Sequence, residues 1–274
     1  MCKEMLYHYT SIDSFVQILE NKSIKFNNLT ACDDIDEADS EDLGRAGKYV
    51  FVSCWTREAK ESIPMWSQYS GNMSGIRIGM KKYPFVRRRF DNRGYGEPFE
   101  SYLNYQKYFD ENKMSFVPNQ PILIDVEYVE DEKKIKPCII TEGTIEDVEK
   151  FIRGESSKCT LSFDAIGKYK KTCWAFQNEC RYKIFGMPMG IKEMNISDAK
   201  VSWDKQKEYM RRVMDKSYVP GYQALFLDLD DEAIDDMEIV FGPRMNKSEK
   251  ILLSHYLKSK GLEKNYRESS LRIQ

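Results

Sequence analysis

Gln177, Glu179 and Arg181 stand two apart in "WAFQNECRYKIF" (Trp174 to Phe185), where an aromatic, polar stretch gives way to strand-like alternation. Side chains two apart on a strand share a face. A strand that begins by Gln177 therefore sets an amide, a carboxylate and a guanidinium in one stripe. The stripe has two readings: the polar wall of a nucleotide pocket, or a Glu179–Arg181 pair on the polar face of an amphipathic strand whose Tyr182 and Ile184 face the core. Two further sets of residues could join it. His8, in "YHYT", is either a ligand contact or a hydrogen-bonded imidazole beside a helix start. Trp66 and Tyr69, in "MWSQYS", lie three apart, which is core-like spacing on a helix.

Other constellations carry less chemistry. Arg87, Arg88, Arg89 and Arg93 form a basic patch interleaved with Tyr83, Phe85, Phe90 and Tyr95. Charge plus stacking could grip a nucleic acid there; a solvated loop balanced by the acidic stretch from Asp33 to Asp42 is the plainer reading. Asp33, Asp34, Asp36 and Glu37 could attract a divalent cation, but the pattern lacks the glycine and terminal glutamate of a calcium loop. "GNMSG" at Gly71 lacks the lysine and hydroxyl of a phosphate loop, and His255 has no partner motif. Neither a Gly-x-Ser-x-Gly elbow nor a His-Glu-x-x-His stretch occurs, which argues against those hydrolase and zinc-protease chemistries.

These residues need strands and helices to hold them. "SIKF", "KYVFVSCW", "SGIRIGM", "PILIDVEYV", "CRYKIF", "ALFLDL" and "MEIVFG" read as strands, the second the strongest. Ile76, Ile78 and Met80 fall on one face of the third. Thr10 with Asp13 marks a helix start, followed by Ile12, Phe15, Val16 and Leu19 at helical spacing. Pro64 suits the first turn of a short helix. Thr144 with Asp147, and Asn246 with Glu249, read as cap pairs of two more helices, ending at Gly154 and Gly261. "FESYLNYQKYF", "SFDAIGKYKKTCWAFQ" and "VSWDKQKEYMRRVMDK" also read as helical, and "LRIQ" as a closing edge strand. Strands are grouped and helices inserted, without regular βαβ alternation. The expected fold is α+β, one domain over 1–274, with a mixed, mostly antiparallel sheet.

The 274 residues can bury a substantial core. A net charge of -2 gives no global pull toward nucleic acid or anionic membrane. Seven scattered cysteines without a C-x-x-C fit reduced thiols in a cytoplasmic protein rather than a disulfide framework or zinc site. "MCKEMLYHYT" has no long apolar run, so no signal peptide is expected, and no segment approaches a membrane span.

Several of these stretches, in order, resemble the bacterial DUF2971 family, a group named for its lack of assigned function. They are "LYHYTSIDSFVQILENKSIKF", "VSCWTREAKESIPMWSQYSGNMSGIRIGM", "CWAFQNECRYKIF", "MEIVFGPRMNKSEKILL" and "SSLRI". The sequence departs from that family twice: Asp33-Asp34-Ile35 stands where an Asn-Asp-Pro-like turn is common, and Gln177 where the later motif often has an acid. A second resemblance, to the ADP-ribosyltransferase superfamily, rests on "YHYT" before a helix, an aromatic-rich middle and "QNE" at a late strand.

That second resemblance implies NAD as substrate and Glu179 as the catalytic residue. Breaking the bond between ribose and nicotinamide builds positive charge on the sugar, which a fixed carboxylate stabilises. It also implies substrate contacts from His8, Tyr9, Thr10, Trp66, Tyr69, Gln177 and Arg181, with no metal. An aromatic face such as Tyr69 or Trp66 would hold the nicotinamide ring, and Gln177 would touch the acceptor. The alternative is a binding or sensor module of a bacterial defence or stress system, without chemistry of its own. In that case Glu179 pairs with Arg181 and no polar pocket surrounds it.

Overall fold

The computed structural model describes residues 4–90, 98–108, 114–190 and 199–273. Its frame is a nine-stranded sheet. The strands are β1 (Met5–Thr10), β2 (Ser23–Asn28), β3 (Val50–Thr56), β4 (Ile76–Lys81), β5 (Ser115–Asp125), β6 (Glu179–Met187), β7 (Ala224–Asp228), β8 (Glu238–Phe241) and β9 (Tyr266–Glu268). Around it lie α1 (Ile12–Asn21), α2 (Ile63–Tyr69), α3 (Ile145–Arg153), α4 (Ala199–Met214) and α5 (Lys247–Ser259). The spatial order is β7-β2-β3-β1-β4-β8-β9, with β6 also paired to β3 and β5 to β6. Of these pairings only β8 with β9 is parallel, so the architecture is the α+β, mostly antiparallel one expected.

Apolar alternation places the core. Ile76, Ile78 and Met80 are all buried, as are Val50, Phe51, Val52 and Trp55 of β3. Helix signals fared well. Thr144 and Asp147 form a reciprocal cap at α3, as do Asn246 and Glu249 at α5. Pro64 sits in the first turn of α2. At α1 the cap is Ser11, whose oxygen accepts from the Ser14 amide, rather than Thr10; Thr10 is still paired in β1, opposite Ile76.

Three segments depart from expectation. Over its described residues "FESYLNYQKYF" is a strand, Phe99–Ser101, and one helical turn, Tyr105–Tyr108, because Phe99 pairs antiparallel with Phe90 and stacks on it. "LRIQ" is not a strand over its described residues: Leu271 and Ile273 pack against Tyr9, Trp66, Met73 and Val240, and β9 lies just before it. "SFDAIGKYKKTCWAFQ" resolves into a short strand, Tyr169–Lys171, and a 3-10 turn, Thr172–Gln177. The cause lies in β6. Lys183 Nζ donates to the carbonyls of Phe163, Asp164 and Ile166, and Arg181 to that of Gly167. Held toward β6, the segment closes only turns of three residues, Ile166 N–H to the Phe163 carbonyl at 3.3 Å and Lys168 N–H to that of Ala165 at 3.1 Å, and not the four-residue bonds of an α-helix. Gly167 itself sits at φ 71°, and a Cβ there would meet Leu29 Cδ2 at 2.9 Å, so the bend requires glycine.

The sheet divides at β3. Along one flank β3 pairs with β6 from Val50 opposite Phe185 to Thr56 opposite Glu179. Along the other it pairs with β2 only at Phe51 and Val52, and with β1 only at Thr56. Extending either ladder by two residues would put both Lys25 of β2 and Tyr9 of β1 opposite Cys54. Two strands cannot occupy one place, so they part. Alternate residues of an antiparallel strand turn their N–H and C=O to the same flank. Cys54, between Val52 and Thr56, therefore points its amide into the wedge between β1 and β2.

Candidate functional site

A cavity of about 250 Å³ fills the wedge. β1 supplies Tyr7, His8 and Tyr9; β2 supplies Lys25 and Asn27; β3 supplies Val52 to Trp55. Met65 and Tyr69 of α2, the loop Ala31 to Asp33, and Lys170, Gln177 and Glu179 complete it. His8, Tyr69 and Glu179, remote in sequence, thus line one hollow, joined by Tyr9 and Gln177. Arg181 lies beneath it, fully buried. Trp66 is also fully buried, edge-on to Tyr9 at 5.0 Å, with its Nε1 donating to Glu61 at 3.1 Å. Thr10 is buried at the end of β1.

The floor of the cavity is a network of four buried charges. Arg181 Nε donates to Glu179 Oε1 at 2.7 Å, and its NH1 to Glu37 Oε2 at 2.6 Å. Lys170 Nζ donates to Glu179 Oε2 at 2.8 Å and lies 3.6 Å from Glu37 Oε1. Its second hydrogen bond goes to Gln177 Oε1 at 3.0 Å, and Gln177 Nε2 donates to the Tyr69 hydroxyl. Two acids and two bases cancel, which is the condition for keeping such charges out of water. Satisfaction is incomplete. Arg181 NH2 sits 2.6 Å from Glu179 Oε1 but outside hydrogen-bonding geometry, and Glu37 Oε1 accepts no hydrogen bond from the described residues.

The four groups do not titrate alike. Burial pushes the Glu179 carboxyl up, but Arg181 and Lys170 outweigh it and hold the group below its usual range. At Glu37 burial wins over the same two cations, and its pKa is raised. Burial alone would lower the Lys170 pKa, yet Glu179 and Glu37 raise it. Glu179 is therefore ionised at neutral pH, with both oxygens facing cations.

His8 closes the split in the sheet. Its Nδ1 lies 2.8 Å from the carbonyl oxygen of Cys54, where a strand amide would otherwise sit. A carbonyl only accepts, so Nδ1 carries the proton and Nε2 of the neutral ring is an acceptor. The ring packs against Trp55 at 5.2 Å. Burial lowers its pKa, opposed in part by the bond to Cys54. A depressed imidazole adds stability that is present above the unfolded value of about 6.5 and is lost as pH falls through the folded one. Thermal melts between pH 7.5 and 5.5 should therefore show Tm falling with pH, with a shallower slope for His8→Gln. An unchanged slope in that variant would remove His8 as the source. The Cys54 thiol is pushed well above its usual range by contact with Cys32 and by burial, so it is not poised as a nucleophile.

Elsewhere the molecule offers less. Arg87 pairs with Glu100, and Arg88 with Asp228 at 2.8 Å; Arg93 lies outside the described residues. Among those residues no cluster of His, Cys, Asp and Glu is arranged to hold a metal ion. No described helix is long and apolar enough to cross a membrane.

Residues 65–182 match the model of a protein family of unknown function, DUF2971. This supports the family resemblance carried by the motifs. The matched segment runs from the α2 wall through Lys170, Gln177 and Glu179 to just past Arg181. His8, Lys25 and Glu37 precede it. No curated protein and no solved structure gives a significant match.

Sequence reading missed two members of the network. Glu37 lay in a run of acids that reads as solvated, and its one signal is the adjacent Ala38, an apolar residue in a polar run. Lys170 lay in a stretch read as helix, among other lysines that point to solvent. Neither residue has a local pattern that distinguishes it.

Proposed function

We propose that the cavity receives the nicotinamide end of NAD and that Glu179 stabilises the charge that develops on the ribose. The activity would be ADP-ribosyltransferase- or NAD glycohydrolase-like. The observation that carries this reading is the convergence of His8, Tyr69 and Glu179 on one hollow. The bond from ribose C1′ to the nicotinamide nitrogen breaks, and nicotinamide leaves neutral with the electron pair. Water or an acceptor nucleophile then attacks C1′ and gives up its proton. A carboxylate that stays ionised, at the edge of an aromatic-walled hollow, suits the cationic stage of that path. A volume of about 250 Å³ lies just below the usual range of about 300–1,000 Å³ for ligand pockets. It suits a ring and part of its sugar, with the rest of a dinucleotide at the mouth.

One observation favours a second reading, a nucleotide sensor without catalysis. Lys170 and Arg181 already neutralise both oxygens of Glu179, which weakens its pull on a developing cation. A nucleic-acid interface through Arg87, Arg88, Arg89 and Arg93 has less support, since two of these are engaged internally.

Nicotinamide release and NAD binding, measured side by side, separate the readings. For the enzyme, release should fall by about 10²–10³-fold in Glu179→Gln, with circular dichroism confirming that the variant is folded. Binding without release in the unaltered protein selects the sensor. Neither binding nor release would sink both.

A further inference from the structure

We propose that the β2 flank of the wedge is an anion subsite, built from Lys25, Asn27 and the backbone N–H of Cys54, that takes the phosphoryl group of the ligand. Where it assigns that phosphoryl to a nicotinamide nucleotide, it rests on the reading above; the donor set itself does not.

The subsite follows from how the sheet divides. The β2 ladder stops at Asn27 opposite Val52; two residues on, Lys25 and Cys54 would face each other, and instead the ladder is open there and both line the cavity. The Cys54 carbonyl is taken by His8. Its N–H points to the same side and has no strand partner there among the described residues. Lys25 and Asn27 share a face of β2 and both line the cavity. Neither side chain makes an ion pair or hydrogen bond among the described residues.

An ammonium, a backbone N–H and a side-chain amide that can turn its NH2 to the same point suit a group that only accepts, and an anionic phosphoryl is a strong such group. The other charges of the lining are already committed. Lys170 and Glu179 pair with each other. Asp33 accepts from Gln68 at 3.4 Å and faces Tyr69, so it belongs to the α2 wall. Lys25 is thus the one cation of the described lining free to meet an anion. A cationic side chain, a side-chain amide and a backbone amide would then bind the phosphoryl, while the ring and sugar reach toward His8, Tyr69 and Glu179.

The probes are nicotinamide riboside, its 5′-phosphate (nicotinamide mononucleotide) and inorganic pyrophosphate, titrated calorimetrically at low salt. The mononucleotide should bind about tenfold tighter than the riboside. In Lys25→Gln that ratio should collapse to near one, and Lys25→Arg should restore it. Lys25 is exposed, so neither variant threatens the fold. A ratio near one in the unaltered protein, or one that survives Lys25→Gln, overturns the subsite. If riboside and mononucleotide both fail while pyrophosphate binds in a Lys25-dependent way, the anion subsite stands and the nicotinamide reading falls. If pyrophosphate fails as well, the subsite falls with it.

Discussion

Arg181→Met is expected to cost about 3–5 kcal/mol of stability, because it removes one member of a buried ion network and strands the others. Arg181 lies between Glu37 and Glu179 and bonds both. Methionine fills similar space but leaves two buried carboxylates with only Lys170 to balance them. The Gly167 carbonyl also loses its donor, loosening the bend that delivers Lys170. Urea or thermal unfolding would read the loss. The added substitution Glu37→Gln should recover part of it by removing the surplus charge, a coupling that only neighbours show. A loss below about 1 kcal/mol, the range of exposed pairs, would mean that water reaches these groups and that the floor is not sealed.

That network also shows why the site was only half legible in the sequence. Alternation identified β3, β4 and β6 because their apolar faces meet the core, and the period is local. Spacing placed Glu179 and Arg181 on one face for the same reason. Gln177 reached them by another route: it ends a 3-10 turn, and Asn178, at φ 41°, swings the chain into β6. Glu37 and Lys170 come from segments whose local composition points to solvent and to helix. Arg181 bonds Glu37 directly, and Arg181 and Lys183 together hold the carbonyls of Phe163, Asp164, Ile166 and Gly167 in the segment that leads to Lys170. Such tertiary capture has no sequence period, so local reading assigns the segment to a helix.

Glu179 illustrates the limit on the functional side. Strand spacing allowed a pocket wall or a structural pair as alternatives. In the structure it is a member of both: it lines the hollow and it bonds Arg181. The division of the sheet around Cys54 makes that possible. A continuous ladder from β2 or β1 would have covered the carboxylate, whereas parted strands leave a wedge above it. His8 caps the exposed Cys54 carbonyl, so a residue that could contact a ligand also stabilises the gap in which a ligand would sit.

Trp66→Ala should be comparably costly, about 3–5 kcal/mol, the range for removing a fully buried large aromatic side chain. Its indole supports Tyr9 edge-on and gives a hydrogen bond to Glu61. Glu61 in turn accepts from the Ser269 hydroxyl, from the amide of Ser270 at 2.9 Å and from its hydroxyl at 3.0 Å, and meets Arg267 at 3.3 Å. Leu271 and Ile273 pack on the same cluster. Loss of the indole should therefore be felt at both ends of the chain, and amide exchange should accelerate at residues 269–273 as well as in α2. Trp66→Phe keeps most of the packing and loses only the N–H. Because Glu61 retains its other donors, that variant should cost about 1–2 kcal/mol. α2 also carries Tyr69 into the cavity wall, so ligand affinity measured in Trp66→Phe tests whether Trp66 acts by packing. Affinity within twofold of the unaltered protein fits a residue that acts by packing alone, whereas a tenfold loss in this folded variant would mean that the indole N–H bond to Glu61 is needed to hold α2, and with it Tyr69, in the cavity wall.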